Sequence, residues 1–104
     1  MRKLLEDLKQ IDPDFYDEIA RGLEQVDIEY EEDIIQGCIQ RACIGQKWPI
    51  IQSFDCDPDT PGAFLAEICS GEINGLLGRT CAESPAKSIL TAYLSAIRSQ
   101  PCQS

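Results

Sequence analysis

Apolar residues recur along this chain in adjacent pairs every four positions, the spacing that lines one face of an α-helix. Leu4, Leu5, Leu8 and Ile11 start the pattern and predict a short first helix. Asp12 then stands as an N-cap before Pro13, and Asp14 and Asp17 suit the positive end of a helix dipole, so a second helix begins there. Its stripe is Phe15, Tyr16, Ile19, Ala20, Leu23 and Val26, interrupted by Gly22. A third, broader stripe pairs Ile34 with Ile35, Cys38 with Ile39 and Ala42 with Cys43, with Gly45 as its stop.

Beyond Gly45 the same spacing is carried forward. Pro49 is placed to open a short helix through Phe54, because some fifteen structureless residues would be unusual in a small domain. Residues 55–59, Asp-Cys-Asp-Pro-Asp, read as a turn. Thr60 and Pro61 then repeat the cap-and-proline signal before Phe64, Leu65, Ile68 and Cys69, with a break at Ser70-Gly71 and a resumption at Ile73, Leu76 and Leu77 until Gly78. Ser84 and Pro85 open the last helix, striped by Ile89, Leu90, Tyr93, Leu94 and Ile97 and ended by Pro101. The chain is read as lacking a hairpin signal, sustained alternation or an internal repeat, which argues against a sheet and against a solenoid. The expectation is a single all-α domain over residues 1–104, an irregular bundle of five or six short amphipathic helices.

At 104 residues, 43% hydrophobic and 26% charged, the composition is that of an ordinary globular domain. No apolar run approaches a membrane span, and Glu6 and Asp7 interrupt what would be the apolar core of a signal peptide. A cytoplasmic location with no membrane contact is expected. The charge is unevenly placed: ten acids and one base, Arg21, lie between Asp12 and Asp33, so this segment carries the whole net charge of −9. Such a field repels nucleic-acid phosphate and attracts basic proteins.

Chemistry adds little to that picture. With no histidine the usual base for a Ser or Cys nucleophile is missing, and catalysis is not expected. No two cysteines have zinc-knuckle spacing. Asp55, Asp57 and Asp59 alternate like calcium-loop ligands, but Thr60 and Ala66 stand where the loop needs Gly and Glu, so neither a metal nor a cofactor is expected. Cys38, Cys43 and Cys69 fall on apolar stripes and are expected as reduced thiols packed in the core, while Cys56, Cys81 and Cys102 fall in turns or the tail and could pair.

These features predict a small acidic module that binds a basic protein partner, as an inhibitor, immunity protein or adaptor does. The expected contact set is Asp14, Asp17, Glu18, Glu24, Asp27, Tyr30, Glu31 and Glu32, with Tyr16 or Tyr30 meeting an apolar partner residue. An acidic secretion or assembly chaperone and a thiol-switch protein are the alternative readings.

Overall fold

The computed structural model describes residues 1–54, 64–71 and 75–99. In chain order these hold α1 (Arg2–Ile11), α2 (Pro13–Leu23), a single 3-10 turn (Ile28–Tyr30), α3 (Glu31–Gln46), β1 (Ile50–Phe54), β2 (Phe64–Cys69), β3 (Leu76–Ala82) and α4 (Pro85–Ser99). The strands form an antiparallel sheet in the order β1-β2-β3. The fold is therefore mixed, helices with a sheet, and the all-α helical bundle of five or six helices is overturned.

The correction falls between Gly45 and Ala82, and its cause is geometric. Four residues advance a helix by about 400°, nearly a whole number of turns, and advance a strand by two full pleats, so both put residues i and i+4 on one face. Ile50 with Phe54, and Phe64 with Ile68, satisfy either rule; the structure makes them strands rather than the helices read from Pro49 and from Pro61. Asn74-Gly75, a hairpin dipeptide that the helical reading passes over, lies between β2 and β3 in the sequence. Thr60 and Pro61, like the turn at Asp55, Asp57 and Asp59, lie outside the described residues.

The helical half follows its local signals more closely. The Phe15 N–H donates to Asp12 Oδ1 at 3.2 Å, closing the N-cap of α2 beside Pro13. Ser84 Oγ accepts from the Lys87 N–H at 3.1 Å and caps α4 in the same way. Gly22 is explained by packing, since a Cβ there would meet Ile34 Cγ2 of α3 at 3.0 Å. At the other end of α3, Gly45 lies inside the helix. The stop is Lys47, left-handed at φ 62°, where the Lys47 and Trp48 N–H groups donate to the Ile44 and Cys43 carbonyls.

The core is built around α4. This helix packs on β3 and β2 and also on α3 and α1. Ala86, Ser88, Ile89, Leu90, Ala92, Tyr93, Leu94 and Ala96 are all buried, so most of its circumference is covered. Buried Ser88 is satisfied by donating to the Pro85 carbonyl at 2.9 Å. Opposite it, the register sets Ile50, Ala66 and Ile68 on the inner face of the sheet, with Gly78 paired to Ile68. Gly78 lets β3 approach closely, because a Cβ there would run into the Ala92 carbonyl. Tyr93 joins the layers, its ring 5.4 Å from Phe15 and 6.2 Å from Trp48. The outer face carries a cross-strand ion pair, Arg79 Nε to Glu67 Oε1 at 3.2 Å. Among the described residues, no helix is long and apolar enough to cross a membrane.

Candidate partner-binding surface

The acids between Asp12 and Asp33 reach the surface by three routes. On α2, Phe15, Ile19 and Leu23 turn toward the core, which leaves Asp14, Asp17 and Glu18 exposed on the opposite side around Arg21. Arg21 is itself turned back along its helix, its Nε donating to the Asp17 carbonyl at 3.4 Å. Glu24 and Asp27 are exposed at the C-cap of α2 and the N-cap of the 3-10 turn. Glu31, Glu32 and Asp33 make the first turn of α3, where the helix dipole favours negative charge. Ion pairs among the described residues join Arg79 to Glu67, Lys87 to Glu83 and Arg98 to Asp7, and none involves an acid of the segment from Asp12 to Asp33.

The structure adds a cleft that the sequence does not reveal. Its apolar wall is made by Leu5 of α1, Leu23 of α2, Ile28 of the 3-10 turn and Ile35 of α3, and it encloses about 410 Å³. Glu31 and Glu32 line it, two of the expected contact residues. Glu83, from the turn between β3 and α4, lines it as well. No local pattern marks Glu83, some fifty positions away in the charge-balanced part of the chain; only the topology brings it here. The Lys87 ammonium, 2.6 Å away, holds the Glu83 carboxyl below its usual range, so this carboxylate is already compensated. Glu31 and Glu32 take no part in an ion pair among the described residues.

Of the two tyrosines expected at a contact, Tyr30 is exposed and Tyr16 is half-buried. Tyr30 is 50% exposed on the 3-10 turn next to Ile28, which is 83% exposed. Tyr16 instead packs against the core, with Lys9 Nζ 5.4 Å from its ring centroid. The surface therefore divides: Asp27, Tyr30, Glu31 and Glu32 belong to the cleft and its neighbouring turn, whereas Asp14, Asp17 and Glu18 occupy the outward side of α2.

The cysteines follow the helical expectation only in part. Cys38 and Cys43 are buried free thiols on α3, and burial pushes the Cys43 thiol up to about 11. Cys69 is half-buried on β2 rather than enclosed on a helix, and Cys81 is exposed on β3 rather than in a turn, both as free thiols. Cys56 and Cys102 lie outside the described residues. No protein family, curated protein or solved structure matches the chain.

Proposed function

We propose that this protein is a small acidic binding module that docks on a basic surface of another protein, as an inhibitor, immunity factor or adaptor does. The observation that carries the reading is that the acids from Asp12 to Asp33 take no part in ion pairs among the described residues while two of them, Glu31 and Glu32, line an apolar cleft. Uncompensated charge steers a basic partner and sets its orientation; desolvated apolar contacts then hold it. Exposed Ile28 and Tyr30 supply that contact beside the cleft, and the acids of α2 extend the field. The module is not an enzyme in this reading, needs no cofactor, and works in the cytoplasm, where the thiols of Cys38 and Cys43 stay reduced.

Affinity capture from the native cell supplies the partner for the test. Replacing Asp14, Asp17, Glu18 and Glu24 by Asn or Gln slows association several-fold in stopped flow, most strongly at low salt, with dissociation little changed. Ile28→Ser does the reverse, hastening dissociation at an almost constant association rate. Association indifferent both to salt and to the acid substitutions would leave the acidic face with solubility as its only role.

A further inference from the structure

We infer that the cleft walled by α1, α2 and α3 accepts an arginine side chain of the partner, its aliphatic stem on the apolar wall and its guanidinium at Glu31 and Glu32. This inference rests on the docking proposal and names the group that the cleft recognises. The shape of the cavity carries the first step. Ile35 is buried at its base, Leu5 and Leu23 are half-buried, and Ile28 is exposed at its mouth. A space of about 410 Å³ with such walls takes up apolar surface, and the polar groups lining it decide what that surface must carry.

Charge supplies the second step. Three carboxylates line the cavity, and no lysine or arginine among the described residues does. Glu31 is half-buried and Glu32 exposed, and neither takes part in an ion pair among the described residues. A purely apolar occupant strips water from Glu31 and gives it no counter-charge, which is costly, and an acidic occupant adds repulsion. A long side chain with an apolar stem and a cationic end meets both demands. Glu83, the third carboxylate, already shows such a pairing, with the Lys87 ammonium 2.6 Å away.

Arginine fits better than lysine. Its guanidinium is less strongly hydrated than an ammonium, so it loses less on entering a half-closed apolar site, and its planar fork can serve two carboxylates at once. Glu31 and Glu32 are consecutive in the first turn of α3 and offer two. Lys87 competes for the third: while it holds Glu83, an incoming cation is confined to the α3 side of the cleft. The acids of α2 do not line the cavity, so they set the approach of the partner and not the choice of side chain.

The probe is hexylguanidinium, an arginine head on an apolar stem, titrated into the full-length protein and followed by methyl NMR. The signals of Leu5, Leu23, Ile28 and Ile35 should shift saturably, with a dissociation constant of about a millimolar. Hexylurea, its neutral counterpart, and methylguanidinium, which lacks the stem, should each bind at least about fivefold more weakly, with hexylammonium in between. Glu31→Gln with Glu32→Gln should weaken binding more than Asp14→Asn, Asp17→Asn and Glu18→Gln together, circular dichroism showing that each variant is folded. Lys87→Gln should tighten binding about threefold, and adding Glu83→Gln should abolish that gain. Absence of saturable shifts at the four residues overturns the inference. So does hexylurea or hexylammonium matching hexylguanidinium, or a Lys87→Gln gain that survives Glu83→Gln. Those outcomes leave the docking proposal to its own test, the salt-dependent association with the captured partner, whereas an association indifferent to salt and to the acids removes both.

Discussion

A single hydrogen atom separates the backbone of β3 from the carbonyl of Ala92, because the side chain of Gly78 is nothing more. Adding one methyl group forces strand and helix apart at Ala92, beside Ile68, which pairs with Gly78 and is fully buried. Gly78→Ala should lower the free energy of unfolding by about 1–3 kcal/mol, the range for overpacking a well-filled core. Urea denaturation measures it, and an unchanged midpoint would mean that β3 and α4 can separate at no cost. The same residue shows where sequence reasoning runs out. A lone glycine after an apolar pair reads equally well as the end of a helix and as a close approach between two backbones, and only the partner decides. Lys47 makes the converse point, since a left-handed lysine ends α3 two residues after the glycine that seemed to offer the stop.

Two of the three cap-and-proline signals opened the helix read from them; the stripe after the third, Thr60-Pro61, is β2. Asp12-Pro13 and Ser84-Pro85 each pair a capping side chain with a proline at the first turn, and both open the helices expected of them. Ser84→Ala should accordingly cost about 1 kcal/mol, read as a fall in the thermal or urea midpoint; a loss below roughly 0.3 kcal/mol would show that the cap contributes nothing. Spacing alone was right for α1 and α3 and misled at β1, β2 and β3. Along β2 the step of two places Phe64, Ala66 and Ile68 on one side, but Leu65 and Cys69 make the other side apolar as well, with Glu67 its one charge. That composition blurs the alternation that marks a half-solvated strand. The contact residues divided for a related reason. Glu31 and Glu32 stand in an obvious charge run, whereas Glu83 joins them through the crossing of a distant turn, which no local pattern encodes.

The whole molecule responds to alkali through groups gathered around one helix. Burial raises the Cys43 thiol from its ordinary 9.0 to about 11, and raises the Tyr93 phenol from 10.0 to about 12. Unfolding frees both to lose their protons at the ordinary values. The stability they contribute is thus complete below pH 9 and is lost as pH climbs toward the folded values, at about 1.4 kcal/mol per pH unit for each group within its window. Urea denaturation should show a decline beginning near pH 9, with Cys43→Ala moving its onset toward pH 10. A flat profile to pH 11 would contradict the burial of both groups. The same centrality of α4 bears on how the chain is made. Synthesis delivers α1, α2, α3 and the whole sheet before the helix that covers the inner faces of both layers, so a growing chain holds two greasy surfaces with nothing yet to close them. Neither half can settle early, and α4 is the helix that closes both.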